Sequence, residues 1–442
     1  MTATVSRSEA EHIFQKLRVG AVPERGLHAY AVGIDRARDE LTRLLKLAGS
    51  GEGIVKFLRG GYGCGKTFMT RVAILEAQTQ GFATSFVVVS DNDFHFHRFD
   101  VLYRKVVEAL STTACPRGAL NDIIDRWIAR VEDALIAGGA SDSDPGFDEK
   151  VAKRLGEELE SKHDRVPEDL KRALRAIFEA KQKGRLAEAS ALVSWLSGST
   201  HVAAAEKRPA GIKGNIEGPQ ALDFLRGILE ITKAAGYKGL VIAIDELETV
   251  LRMRKDIRQK SMNGIRQISD AAGQFPGLLW ILTGTPDFFD TKRGVAGLEP
   301  LHDRIAFKSE QGFASPRQAQ LELRAFNAER LREVALKLRE LFPSESAGRI
   351  ESLVTVEFIE RLVLEVTKGF AGDVGVVPRQ FLRRFVEVLD LTETEPGFDP
   401  MRDTSFSAGE VSPTESRLRE GKKEYEPEPG DEQGYVVEPL EF

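Results

Sequence analysis

Four glycines, a lysine and a threonine fall within eight consecutive residues, Gly60-Gly61-Tyr62-Gly63-Cys64-Gly65-Lys66-Thr67. This is the G-x-x-x-x-G-K-[ST] spacing of a phosphate-binding loop. Such a loop turns its backbone N–H groups inward around a polyphosphate, and glycines let it do so without steric cost. Lys66 is then placed to reach the β- and γ-phosphates, and the Thr67 hydroxyl to ligate Mg²⁺. A strand must lead into the loop and a helix must follow it. Ile54 to Arg59 reads as a short strand, and Phe68 to Gln80 as a helix whose N-terminus faces the phosphates. The segment predicts a nucleoside-triphosphate site with Mg²⁺.

A second set of chemical groups lies far downstream. Leu240-Val241-Ile242-Ala243-Ile244 is an apolar strand that ends in Asp245 and Glu246. Opposite a phosphate loop, Asp245 holds the water shell of Mg²⁺, while Glu246 orients and deprotonates an attacking water. Two acids together favour a hydrolase over a passive nucleotide binder. Leu278 to Leu282 is a further apolar strand, ending in Thr283-Gly284-Thr285-Pro286. Thr283 or Thr285 there is placed to touch the γ-phosphate or the water; a plain Gly-Pro turn is the competing reading. In Leu301-His302-Asp303-Arg304-Ile305, Arg304 is a candidate to reach a neighbouring subunit's γ-phosphate. Pro378-Arg379 opens a helix, with proline at a favoured first-turn position and Arg379 as a candidate reporter of nucleotide state. Both arginines also fit ordinary surface positions.

The elements around these groups suggest an interrupted α/β alternation. A helix over 8–18 carries Ala10, Ile13, Phe14 and Leu17 on one stripe, and a loop leads to Val32-Gly33-Ile34 and a helix from Asp35 to Leu47. Thr84 to Ser90 is nearly all apolar, as a parallel strand covered on both faces requires, and a helix follows over about 101–111. Residues 117–215 then read as helical throughout, with Leu120, Ile123, Ile124, Trp127, Ile128, Val131 and Leu135 on one stripe and further helices near 147–163, 167–183 and 186–196. The chain is therefore expected to comprise a nucleotide-binding core over 1–116 and 216–313, a helical insertion over 117–215 and a helical lid over 314–394. The insertion either carries regulation and partner contacts or merely extends the structure. From 395 to 442 Glu, Pro and Gly accumulate, which predicts a largely disordered acidic tail whose end, Tyr435 to Phe442, is apolar enough to dock.

Composition excludes several classes. In 442 residues, 62 Lys and Arg oppose 68 Asp and Glu, so the net charge of −6 gives no global signature of nucleic-acid binding. Two cysteines, Cys64 and Cys115, cannot build a disulfide framework and fit a reducing cytosol. Neither a signal-peptide core nor a membrane-length apolar run is present, which predicts a cytoplasmic protein without membrane attachment.

The order of Val32-Gly33-Ile34, the phosphate loop, Asp245-Glu246, Thr283–Thr285, Leu301–Ile305 and Pro378-Arg379 resembles the layout of AAA+ ATPases, nearest the initiator and transposition-regulator branch. More narrowly, the loop, Ile244-Asp245-Glu246-Leu247-Glu248 and Gly284-Thr285-Pro286-Asp287-Phe288-Phe289 resemble the BrxD family of BREX-system ATP-binding proteins. The resemblance spans about 20–390 and implies a P-loop NTPase fold, with an AAA+/ASCE-type parallel-sheet core, a helical insertion and a C-terminal helical lid. It assigns Val32, Gly33, Phe68 and Arg379 to nucleotide binding, beside the loop itself. It further implies a homo-oligomer, and a role in bacterial anti-phage loci beside a large helicase-like partner.

One feature of charge stands apart from these motifs. Arg252, Arg254, Lys255, Arg258, Lys260 and Arg266 form a basic stretch on a helix expected directly after Glu246, with Leu247, Val250, Leu251, Ile257, Ile265 and Ile268 facing inward. Two readings of it stay open: a DNA contact through Arg252, Arg254, Arg258 and Arg266, and a solvated or subunit-facing surface. For the whole chain the leading expectation is an ATPase that couples turnover to DNA or protein partners. The alternatives are a signalling scaffold whose oligomer ATP fixes, and an initiator-like DNA-loading ATPase.

Overall fold

The structure, a computed structural model, describes residues 5–90, 94–161, 165–218, 220–368 and 377–404. Six strands, β1 (Ile54–Arg59), β2 (Ala83–Val88), β3 (Leu110–Ser111), β4 (Leu240–Asp245), β5 (Leu278–Gly284) and β6 (Gln320–Glu322), form one sheet in the order β3-β2-β4-β5-β1-β6. Parallel pairing joins β2 to β4 (Thr84 opposite Val241), β4 to β5 (Ile242 opposite Trp280) and β1 to β6 (Phe57 opposite Gln320). Short β3 runs antiparallel to β2, with Thr84 opposite Ser111. Every residue of β4 and of β5 is buried, which is why both read as unbroken apolar runs. The second strand departs from that expectation, since Val88 at its end is 47% exposed. This is a mixed α/β fold compatible with a P-loop NTPase.

Helices fill the rest of the chain. In order they are α1 (Arg7–Arg18), α2 (Asp35–Gly49), α3 (Lys66–Thr79), α4 (Phe99–Glu108), α5 (Leu120–Ala137), α6 (Phe147–Glu160), α7 (Glu168–Gln182), α8 (Leu186–Leu196) and α9 (Ala204–Lys207). There follow α10 (Gln220–Ala234), α11 (Lys255–Ala271), α12 (Pro286–Asp290), α13 (Glu299–Ile305), α14 (Ala328–Leu341), α15 (Ala347–Leu353), α16 (Val356–Lys368), α17 (Val377–Thr394) and α18 (Pro400–Asp403). The chain divides into two compact units. The first comprises Met1–Thr42, Phe57–Leu75 and Thr283–Phe442, and the second Arg43–Lys56 and Glu76–Leu282.

In the first unit, α1 buries its stripe of Ala10, Ile13, Phe14 and Leu17, and Arg18 grips Asp390 of α17 through two bonds of 2.8 and 2.7 Å. Helices α14, α16 and α17 pack together through Leu331, Val334, Leu338, Phe358, Phe381 and Phe385. Of the tail expected from 395, only residues 395–404 are described, and these are held. Arg349 donates to the carbonyls of Glu395 and Pro396, and Arg361 to those of Pro400 and Thr404. Arginine forks satisfy the backbone there without regular structure. Residues 405–442, with the expected docking segment Tyr435–Phe442, lie outside the described residues.

The second unit contains the helices expected between 117 and 215. Predictions near 147–163, 167–183 and 186–196 correspond to α6, α7 and α8. Polar groups of aromatic residues tie α5 to α6 and α4 to α8: Trp127 Nε1 donates to Glu158 at 2.9 Å, and the Tyr103 hydroxyl to the Leu196 carbonyl at 2.5 Å. Trp195 meets Phe224 edge to face at 5.7 Å, joining α8 to α10.

Candidate nucleotide site

β1 delivers the chain to Gly60, and α3 begins at Lys66, so the glycine-rich segment is a strand-to-helix turn. Gly63 and Gly65 take left-handed backbone conformations, φ 72° and 87°, which a side chain would strain. Helix α3 begins directly after these turns, and its leading N–H groups have no carbonyl of their own helix to meet, an arrangement suited to an anion. Lys66 is 8% exposed, and its Nζ donates to the carbonyls of Gly60 (2.9 Å) and Gly61 (3.1 Å), with the Tyr62 ring 5.2 Å away. Cys64 is buried, whereas Thr67 and Phe68 are half-buried in the first turn of α3.

The base of the loop is bonded to the end of β5. Gly60 N donates to the Gly284 carbonyl over 3.2 Å, between the two candidate threonines. Thr283 and Thr285 are both buried. Thr285 stands at the N-cap of α12 but makes no capping bond, and among the described residues its Oγ1 is buried without a partner. A buried hydroxyl in that state costs free energy unless a bound group completes it, and a phosphate oxygen or water would do so.

Side chains that no sequence pattern marked lie against Phe68, Gly65 and the Ala31–Gly33 segment. Tyr30 meets Phe68 edge to face at 5.4 Å, and burial pushes the Tyr30 phenol well above its usual range. A Cβ added at Gly65 would lie 3.8 Å from the Phe326 ring. Gly33, at φ 63°, leaves room for Arg330 of α14; a Cβ there would come within 2.6 Å of its Nε. Val32 is buried beside it, and Lys337 of α14 donates to the Ala31 carbonyl at 2.7 Å. Phe326 and Arg330 bracket Asn327, whose side chain caps α14 by accepting from Arg330 N. That N-cap was the one sequence signal available for them.

The candidate arginines lie on separate helices. Arg304 is exposed on α13 and donates to the Pro300 carbonyl one turn back. Arg379 is exposed in the first turn of α17, where a Cβ added at Gly20 would sit 3.0 Å from its Nε.

In the second unit β4 ends in Asp245, which is 2% exposed, and Glu246 follows in the open. Glu246 has φ 66° and ψ 46°, one of two non-glycine residues with positive φ among the described residues, and its N–H donates to its neighbour's Asp245 Oδ1 at 3.1 Å. A left-handed glutamate costs about 1–3 kcal/mol, a strain that persists where the side chain's direction matters. The single helix expected after it is broken in two: a 3₁₀ turn over Leu247–Arg252, then α11.

That break corrects the basic stretch. Arg252 and Arg254 are exposed, and Arg254 lies 3.4 Å from Asp256. Arg258 is fully buried and donates to the Met253 carbonyl at 3.0 Å, where it closes the break. It shares a helical stripe with Ser261, Met262 and Ile265, so it faces the core and offers nothing to DNA. Arg266 is half-buried.

The family model for the BREX system ATP-binding protein BrxC/D matches residues 5–408. The chain belongs to this BrxC/D family. Membership brings ATP as the ligand, in keeping with the turn over 60–67. No curated protein is detectably similar to the chain. Among the described residues of this BREX-family chain, no helix is long and apolar enough to cross a membrane.

Proposed function

We propose that this protein is an AAA+-type ATPase of a BREX anti-phage defence system, acting in the cytoplasm, and that it couples ATP hydrolysis to DNA or to protein partners. The observation that carries the reading is the strand–loop–helix turn, with Gly63 and Gly65 left-handed and Lys66 buried at the start of α3. The pairing of a buried Asp245 with a strained, exposed Glu246 at the end of β4 supports hydrolysis rather than binding alone.

Lys66 and the N–H groups of 60–67 bind the phosphates in this reading, and Val32, Gly33, Phe68 and Arg379 contribute to nucleotide binding. The Thr67 hydroxyl and the Asp245 carboxylate are hard oxygen donors suited to Mg²⁺, which when bound neutralises phosphate charge. Glu246 takes a proton from the attacking water. The Thr285 hydroxyl, with Thr283 beside it in β5, orients the water or the γ-phosphate. Arg304 supplies charge to a neighbouring subunit's site in a homo-oligomer. The helices over 117–215 serve as an insertion and those over 314–394 as a lid.

A second reading gains from the burial of Arg258. One cation fewer faces solvent near Glu246, which favours a protein-partner role, such as a helicase-like partner or an ATP-fixed scaffold, over an initiator-like grip on DNA. Phosphate release measured with and without duplex and single-stranded DNA separates the readings. Hydrolysis stimulated by DNA supports the DNA-coupled ATPase. Hydrolysis indifferent to DNA points to the protein-partner role, and no Mg²⁺-dependent hydrolysis in any condition overturns the ATPase.

A further inference from the structure

Arg59 is the last residue of β1 and the covalent neighbour of Gly60, yet no phosphate-loop pattern calls for a cation there. Its side chain is 9% exposed. The guanidinium is fixed on three sides within the first unit. It forms a fork with Asp290, the last residue of α12, at 3.1 and 2.7 Å. It donates to Gln320 Oε1 in β6 at 3.1 Å, and it lies over the Phe307 ring at 4.3 Å. Gln320 extends the chain of bonds, because its Nε2 donates at 2.5 Å to the carbonyl of Ile305, the residue after Arg304.

We propose that Arg59 is a positioning residue that couples nucleotide occupancy of the phosphate loop to α13, the helix that carries Arg304. The inference rests on the reading that the loop binds a nucleoside triphosphate. Lys66 Nζ donates to the Gly60 carbonyl at 2.9 Å; phosphate oxygens that draw it away release that peptide group, and Gly60 is the covalent neighbour of Arg59. The Arg59 backbone is itself held, since Leu323 N donates to its carbonyl at 2.9 Å. Any change therefore passes into the guanidinium, whose planar fork has only one arrangement that serves Asp290, Gln320 and Phe307 together. Asp290 closes the helix that Thr285 opens, and Ile305 to Phe307 closes the helix of Arg304. One cation thus links the loop to both elements that carry candidate γ-phosphate groups. Stability alone does not require it, because the Asp290 side chain is 53% exposed and an ion pair with one partner in solvent contributes little.

The relay predicts a nucleotide-dependent signal far along the chain from the loop. Hydrogen exchange of the full-length protein is measured alone, with ADP and with ATPγS. In the wild type, nucleotide slows exchange at 60–67 and also at 299–307. In Arg59→Met, which keeps bulk but loses the fork, slowing persists at 60–67 and disappears at 299–307. Asp290→Asn, a milder change at an exposed partner, reproduces that loss in part and keeps the test open if Arg59→Met does not fold. Nucleotide-dependent slowing at 299–307 retained in the folded variants overturns the relay. So does wild-type slowing confined to 60–67, or an equal rise in exchange at 299–307 with and without nucleotide, which marks a merely structural strut. No slowing at 60–67 in the wild type is a different failure, that of the nucleotide reading, and it takes the relay with it.

Discussion

Lys66 donates its ammonium to the Gly60 carbonyl over 2.9 Å, so the cation of the phosphate loop is turned onto the peptide group that opens the loop. The arrangement keeps a buried charge satisfied by carbonyls. Phosphate oxygens offer Nζ a stronger, charge-assisted partner, and ATP binding is expected to draw it off Gly60 and Gly61. Lys66→Ala removes that exchange. It should lower affinity for a fluorescent ATP analogue by about 10²-fold, the scale of a lost charge-assisted bond in a partly desolvated site, while far-UV circular dichroism stays unchanged. Tight binding by the folded variant would falsify the loop assignment.

Glu246 allows a prediction in which stability and activity move apart. Glycine adopts φ 66° freely, so Glu246→Gly should relieve strain and stabilise the protein by roughly 1 kcal/mol. The same change removes the proposed base, and turnover should fall by about 10²-fold or more. Glu246→Gln keeps the strain, keeps ATP affinity and loses turnover to the same extent. Denaturation curves and phosphate release on the pair are the measurements. A glycine variant less stable than wild type removes the case for stored strain at this position.

For Arg304 the expected outcome depends on subunit contact. Arg304→Ala should bind ATP as the wild type does, because the side chain lies on α13 and donates to Pro300 of its own helix. Its turnover should fall wherever activity rises with protein concentration. Mixing Arg304→Ala with Lys66→Ala should restore part of the activity, since some interfaces then pair an intact loop with an intact arginine. Full activity in strictly monomeric protein removes the trans role.

Legibility in the sequence followed the length and regularity of each element. Strands β4 and β5 are buried along their whole length, and their apolar runs announced them. Helices α6, α7 and α8 keep the 3.6-residue period and are bounded by Gly or Pro, so their positions follow. Two-residue β3 and three-residue β6 show no period at all; pairing with β2 and β1 makes them strands. Arg258 misleads a reading from sequence for a definite reason. Its charge suggests exposure, although the spacing to Ser261, Met262 and Ile265 puts the residue on the inward stripe. Arg59 is illegible for the opposite reason: its partners Asp290, Phe307 and Gln320 lie more than two hundred residues away, and nothing local marks it.

Nucleic-acid binding is tested on the side chains that the fold leaves in solvent. Arg252, Arg254 and Lys255 are exposed around the break between the 3₁₀ turn and α11, whereas Arg258 is not. If this surface meets DNA, replacing the three exposed residues by Ala should weaken binding and lower the slope of log K against log salt by about 1 for each phosphate no longer neutralised. Basal ATP turnover should survive, because these side chains lie at the far end of the 3₁₀ turn that Glu246 opens and at the start of α11. Arg258→Ala should behave in another way. Loss of its bond to Met253 and of its buried volume should cost about 2–4 kcal/mol of stability, with the salt slope of the folded fraction unchanged. Anisotropy titrations across ionic strength, run beside thermal melts, separate the two classes. Wild-type protein that fails to bind DNA even at low salt sinks the DNA-coupled reading, and the exposed arginines then belong to a surface for protein partners.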